Sequence, residues 1–298
     1  MRLAILAGAC AAAAGLASCA GPVNFDQPGG PRWAARLVPR SAPPGLAAPA
    51  PPGSAAPAPP TRLRVVTFNL EFSREVSRAI RLLRDESALH PADLVFLQEM
   101  DPAGVRRIAS ALGMGYVYYP ATVHPMTGRL FGNAILSRWP LSDDRKLVLP
   151  HRGRFGKTQR IAVGATMDVA GVPIRVYTMH VATGVEVPPE KRRDQVRAVL
   201  ADADGWPGPI IVGGDLNAKG LGRLFTARGY AWPTEGIGRT SGLAALDHIF
   251  LRGLAADAER GAGKVADNLR ASDHLPVWTV VTMPDPAPAA PRENGARR

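Results

Sequence analysis

Nine polar side chains in this 298-residue chain stand where apolar runs stop: Asn69, Glu71, Glu99, His180, Asp215, Asn217, Asp247, Asp273 and His274. Carboxylate and amide oxygens with no thiolate suit a hard cation, Mg²⁺ or Mn²⁺, and leave room around it for water and a phosphate. Zinc suits the set less well, because there is no His-x3-His pair and no cysteine cluster. Taken alone, Asp215 after a glycine pair reads as a turn former and Asp247 as a strand cap. Glu71 reads equally as a second metal ligand or a solvated loop carboxylate. His248, inside an apolar run, reads as a core histidine, and His90, His124 and His151 are given no role.

The elements that must position these residues follow from hydrophobic periodicity. Leu63, Val65, Val66, Phe68 and Leu70 put apolar groups on both faces of a strand that stops at Asn69. Val76, Ile80 and Leu83 have helical spacing, with Ser73 as the expected N-cap and an end near His90-Pro91. A second buried strand over 93–97 runs into Gln98-Glu99-Met100, and a helix over 103–112 follows. Further strands are expected at 116–120, 133–137, 146–149, 161–169, 172–180, 209–212, 248–251 and 277–281. A third helix is expected over 189–203. Strand–helix units followed by hairpins predict an α/β protein of mixed sheets with the helices outside. In such sheets strand ends gather at one edge, so five carboxylates, two histidines and two asparagines can meet in one cleft.

Seven segments resemble, in order, the motifs of the endonuclease/exonuclease/phosphatase superfamily. They are Thr67-Phe68-Asn69-Leu70, Leu97-Gln98-Glu99, Gly132-Asn133-Ala134-Ile135-Leu136-Ser137-Arg138, Thr178-Met179-His180, Gly214-Asp215-Leu216-Asn217, Leu246-Asp247-His248-Ile249-Phe250 and Ser272-Asp273-His274-Leu275-Pro276-Val277. The resemblance spans about residues 62 to 282 and implies the DNase I-like fold, a four-layer α/β-β/α sandwich with two mixed, mostly antiparallel sheets flanked by helices. It also implies metal-dependent cleavage of phosphodiester bonds. Glu99, with Asn69 and Asp273, would form the metal site, and Asp215 and Asn217 would hold the attacking water. Asp247 would orient His274, whose part as base or as electrostatic partner stays open. His180 and Arg160 would donate to phosphate oxygens. Arg154 and Lys157, with Arg129 and Arg152, form either a substrate-gripping rim or solvated loop charge. The histidine of Thr178-Met179-His180 resembles the DNase, sphingomyelinase and 5-phosphatase branches rather than the abasic-site endonucleases.

Composition and the chain ends narrow the setting. Hydrophobic residues make 46% and charged residues 20% of the chain, which excludes a collagen and a wholly disordered protein. The net charge of +11 favours a polyanionic partner, nucleic acid or an anionic membrane surface. Residues 1–19 read as a signal peptide whose Leu16-Ala17-Ser18-Cys19 resembles a lipoprotein box, with ordinary cleavage after Ala20 as the alternative. Lipidation of Cys19 would anchor an exported protein in the bacterial cell envelope, with Ala20 pointing to the outer membrane. Residues 20–60 are expected to be a Pro/Ala-rich tether, since 39–60 hold nine prolines among 22 residues. Residues 61–283 form the catalytic domain and 284–298 a tail. Only Cys10 and Cys19 are cysteines, so no disulfide holds the mature chain. A tethered nuclease, acting as a monomer with no protein partner, is the leading expectation. A phosphoesterase of lipid head groups or small phosphoesters is the alternative, and a non-catalytic phosphate binder the third. Phe131, Trp139, Trp206 and Trp232 are the aromatic residues to test for bilayer-facing exposure.

Overall fold

The computed structural model describes residues 23–36 and 60–283, apart from 126, 155, 156 and 243. The signal peptide, Cys19, most of the expected tether and the tail lie outside the described residues. In chain order the elements are β1 (Trp33–Ala35), β2 (Arg62–Asn69), α1 (Val76–Asp85), β3 (Leu94–Met100), α2 (Pro102–Leu112), β4 (Gly115–Val123), β5 (Leu130–Ser137) and β6 (Leu141–Val148). There follow β7 (Ile161–Val169), β8 (Val172–His180), α3 (Pro189–Asp204), β9 (Ile210–Asp215), α4 (Arg223–Thr226), β10 (Asp247–Arg252), β11 (Ala255–Ala256), β12 (Ala262–Lys264) and β13 (Val277–Thr282).

One sheet has the order β1-β4-β5-β3-β2-β13-β11, with β12 also on β13; the other has the order β10-β9-β8-β7-β6. Pairing is parallel at β2/β3 and β8/β9, the pairs whose strands are joined through α1 and α3, and antiparallel elsewhere. Alternation along each strand divides the apolar residues among three cores. Leu63 and Val65 of β2 meet Ile174 and Val176 of β8 between the sheets. Val66 and Phe68 face α1 and α2, while Tyr177 and Met179 face α3 and α4. The layers are therefore helix, sheet, sheet, helix, the expected four-layer sandwich.

Two glycines allow close approach behind the site, Gly213 between the sheets and Gly214 between β9 and β8 of one sheet. A Cβ on Gly213 would stand 2.3 Å from the Phe96 ring across the sheet interface, and one on Gly214, at φ 148, would stand 2.0 Å from the Met179 carbonyl oxygen. The helix starts differ from expectation at one point. Asp101 caps α2, accepting from the Gly104 N–H at 2.7 Å, with Pro102 in the first turn. Ser73 does not cap α1; its hydroxyl accepts the Asp101 N–H at 2.9 Å instead and ties the two helix starts together.

The expected tether over 20–60 is also corrected at its front. Residues 23–36 lie along the domain, where β1 pairs antiparallel with β4 and covers the edge of the sheet. The Trp33 ring meets Tyr118 at 5.7 Å. The buried Lys146 ammonium donates to the carbonyls of Phe25 (2.7 Å) and Gly30 (2.8 Å), and Arg32 pairs with Asp144 (2.6 Å). Asn24 donates to Lys157 O (2.9 Å) and accepts the Gln159 N–H (2.8 Å), so this strap holds the loop that leads to Arg160. Composition pointed to a tether, but a three-residue edge strand and one buried lysine are enough to dock the segment.

Removing the ammonium leaves two buried carbonyls without donors, at a cost of about 2 kcal/mol. Lys146→Met is expected to speed trypsin cleavage after Arg32 about tenfold or more, read by limited proteolysis of the full chain; an unchanged cleavage rate would contradict the docking.

Candidate active site

The strand ends bring the site together through a shared parity. On β2, the side that carries Leu63 and Val65 into the inter-sheet core continues to Thr67 and Asn69. The same side of β8 carries Ile174 and Val176 on to Thr178 and His180, and that of β9 carries Ile211 on to Asp215. On β10 it runs back from Leu251 and Ile249 to Asp247. Asp215 is in register with both His180 and Asp247, and Asn69 with Gln98. The polar residues thus sit at one open end of the inter-sheet core. His248 has the opposite parity and packs edge-on against Trp232, with ring centroids 4.9 Å apart, consistent with a core role.

Asp215 is the hub. The Asn69 side-chain amide donates to Asp215 Oδ2 at 3.0 Å and to Glu99 Oε1 at 3.1 Å, while the Asn69 oxygen accepts the Glu71 N–H at 3.1 Å. Asn69 therefore bridges two carboxylates through its NH2 group and turns its oxygen toward the backbone. Asn217, at φ 53, donates its backbone N–H to Asp215 Oδ1 at 2.8 Å and its side-chain amide to Val181 O at 2.9 Å. His180 Nε2 lies 3.5 Å from Asp215 Oδ2 and 3.8 Å from Glu99 Oε1. His274 Nδ1 meets Asp247 Oδ2 at 2.8 Å, which leaves Nε2 3.8 Å from Asp215 Oδ2. Behind these groups the Gln98 amide crosses the interface to Thr178 Oγ1 at 2.9 Å.

Glu99 reaches the site through a break in the strand. The β3/β5 register shifts between Leu97 and Met100, and Glu99 takes φ 59, which aims its carboxylate at Asn69 instead of along the pleat. Asp273 stands exposed beside His274, on a loop fixed by Ser272, whose hydroxyl donates to Asn69 O at 2.7 Å.

Burial and charge set the protonation states. Burial above all, then the charge of Asp247, raises Asp215 well above the usual carboxylate range. Burial likewise raises Glu99 against the opposing pull of Arg160 and Asn69. Burial, with the cations of Arg160 and His274 nearby, holds His180 neutral. For His274 burial works the other way from its partners, yet the charge and hydrogen bond of Asp247, with Asp215 and Asp273, push its pKa up to about 10. The donor set fits a hard divalent cation. Two desolvated carboxylates share a single amide, and Asp247 Oδ1 has no hydrogen-bond partner in the protein, a concentration of negative charge that a cation would offset. One ligand atom each from Asp215, Asp247 and His274 also lies within 4.8 Å of the others. An imidazolium at His274 disfavours a cation there, so Glu99 and Asp273 are the better oxygen donors.

Arg160 borders the site, with Nη1 3.0 Å from His180 Nε2 and Nη2 2.7 Å from Glu186 Oε2. Glu186 was not read from the sequence. It sits in the loop before α3 and also accepts the Thr183 N–H at 2.9 Å, and nothing in its immediate sequence marks it as a partner of Arg160. Arg154 and Lys157 are exposed nearby, and Arg152, Arg154 and Lys191 line a recess of about 370 Å³ together with Glu186. Arg129 is turned away from this rim and pairs with Asp101 at the start of α2. Phe131 is buried, and Trp139, Trp206 and Trp232 are half-buried.

The profile of the Endonuclease/Exonuclease/phosphatase family matches residues 66–274, which hold every strand-end residue described above. No curated protein matches the sequence at a significant level. Among solved structures, the catalytic domain of human nocturnin with bound sulfate superposes with a TM-score of 0.61 at 20% identity, covering 74% of this chain and 94% of its own. Humanized TDP2 of D. rerio gives 0.59 at 18% identity, covering 75% and 100%. An endonuclease/exonuclease/phosphatase of Beutenbergia cavernae gives 0.59 at 22% identity, covering 75% and 72%. These likenesses reach the fold, and the family match reaches the motifs that fill its open end: the chain belongs to the endonuclease/exonuclease/phosphatase family.

Proposed function

We propose that this protein is a Mg²⁺- or Mn²⁺-dependent phosphodiesterase, foremost a nuclease, carried to the cell envelope by a lipid anchor at Cys19. The observation that carries the reading is the convergence of Glu99, Asn69, His180, Asp215, Asp247 and His274 at one end of the inter-sheet core. A divalent cation at Glu99 and Asp273 would polarise the phosphoryl oxygen and stabilise the leaving oxygen. The protein's own groups do the rest. Asp215, fixed by the backbone of Asn217, accepts a hydrogen bond from the attacking water and aligns it. Protonated His274, held by Asp247, presents Nε2 to a non-bridging oxygen as negative charge gathers there. Neutral His180 and Arg160 steady the same phosphate from the other side.

The net charge of +11 and the exposed Arg154 and Lys157 support nucleic acid as the substrate, since each backbone phosphate they neutralise releases condensed counterions. The exposed large apolar side chains among the described residues are Val23, Val185 and Leu269, none of them aromatic, which gives the lipid head-group reading less support. Export follows the sequence reading of residues 1–19, and monomeric action belongs to the same proposal.

Full-length protein with Mg²⁺ should nick plasmid DNA, and His274→Ala should slow nicking about 10²- to 10⁴-fold. Three phosphate contacts, at about 0.9 log unit per contact, predict a drop in DNA affinity of about fortyfold for a fourfold rise in salt. Intact plasmid beside hydrolysis of lipid or small phosphodiesters would replace nucleic acid as substrate, and a His274→Ala enzyme as fast as wild type would remove the mechanism. For the anchor, Cys19→Ser is expected to move the protein from the membrane fraction to the soluble one; retention in membranes would rule the anchor out.

A further inference from the structure

We propose that the recess beside His180 lined by His124, Phe131 and Arg160 is a subsite for a planar heteroaromatic group, a nucleobase carried by the phosphoester. The inference rests on the phosphodiesterase reading and names the part of the substrate that the same site recognises. A cavity of about 200 Å³ opens there, lined by Thr122, His124, Phe131, Thr158, Arg160 and Glu186. That is less than the roughly 300 Å³ at which drug-sized pockets begin, so it suits one ring system. The Phe131 ring is 5.7 Å from the His180 ring, and the Arg160 guanidinium is 5.4 Å from the Phe131 centroid. The recess therefore adjoins the phosphate position rather than lying elsewhere on the surface.

Its lining joins the aromatic rings of His124 and Phe131 to the polar groups of Thr122, Thr158, Arg160 and Glu186. The Phe72 ring stands 4.5 Å from His124 and 5.6 Å from Phe131, and those two rings are 5.3 Å apart. Among the polar groups, Arg160 and Glu186 form their ion pair, and Thr158 Oγ1 donates to Glu186 Oε1 at 3.3 Å. His124 Nδ1 and Arg160 Nε have no hydrogen-bond partner in the protein. Arg160 is 8% exposed, so its unpartnered Nε is a buried donor at the wall of the cavity. An acyl chain in this space would desolvate the ion pair and give it nothing in return. A nucleobase stacks on the rings and brings N–H and C=O groups to the polar edge.

The backbone that presents Phe72 is unusual. Glu71, Phe72 and Ser73 take φ values of 38, 59 and 56, three successive residues in the left-handed region with no glycine among them. Such strain persists where surrounding contacts over-determine it, and here Ser73 N–H is bonded to Leu70 O at 2.9 Å while Arg129 donates to Phe72 O at 3.4 Å. The outcome is a half-buried ring that packs on His124 and Phe131, two lining residues, instead of in the core beneath α1.

The test compares equilibrium binding of adenosine monophosphate and ribose 5-phosphate to the full chain with Mg²⁺ by calorimetry. One stacked base should make the nucleotide bind about tenfold tighter or more. His124→Ala, checked for an unchanged melting temperature, should remove that advantage, Phe72→Ala should weaken it by loosening the His124 ring, and both should leave ribose 5-phosphate binding as it was. Equal affinities of the two ligands for wild type, no nucleotide binding at millimolar concentration, or a nucleotide preference that survives His124→Ala would each overturn the subsite. Base-dependent binding without hydrolysis of any phosphodiester would retain the subsite and retire the hydrolytic reading, while hydrolysis without base preference would retire the subsite alone.

Discussion

A carboxylate buried where two sheets meet is costly unless its partners are fixed, and the buried Asp215 sets that demand for the whole open end of this fold. Its two oxygens are met by groups from four pieces of chain: Asn69 at the end of β2, Asn217 two residues on, and the ring nitrogens of His180 and His274 at 3.5 and 3.8 Å. Asn69 belongs to one sheet and Asp215 to the other, so the interaction that satisfies the acid also fixes how the sheet ends stand against each other. The Gln98–Thr178 hydrogen bond repeats that link one layer deeper.

The apolar core serves the same geometry. Gly213 admits the Phe96 ring, so the sheets approach closely just below the polar layer. Above that layer the chain stores strain rather than packing: Glu99, Asn217 and the Glu71–Ser73 turn all have positive φ. Positive φ also occurs in turns away from the cleft, as at Asp143 and Ala170, but at the cleft it falls on residues whose side chains serve the site. A rigid sandwich can hold such strain because its cost is spread over three well-filled cores.

Much of this was legible in the sequence because strands alternate. Once Leu63 and Val65 are read as facing inward, Asn69 must face inward too, and the same counting leads to His180, Asp215 and Asp247. The motif order then supplied the fold and the matching of Asp247 to His274. What escaped the reading depends on contacts distant in the chain. Glu186 matters only because Arg160, 26 residues earlier, lies beside it. Ser73 has the composition of an N-cap but is drawn to the Asp101 backbone. The segment at 23–36 has tether-like proline and glycine, and its docking rests on partners about a hundred residues away, Lys146 of β6 and strand β4 among them. His124 and Phe131 had no partner in sequence because the left-handed turn that brings Phe72 to them has no glycine to announce it.

The central claim is that desolvated carboxylates at the sheet ends hold a divalent cation through Glu99. The most direct measurement is a calorimetric titration of Mg²⁺ or Mn²⁺ into chelator-treated full-length protein, repeated with Glu99→Gln. The account predicts saturable binding in the wild type that weakens at least about tenfold in the variant. Binding of equal strength in both proteins, or none in the wild type, would contradict it.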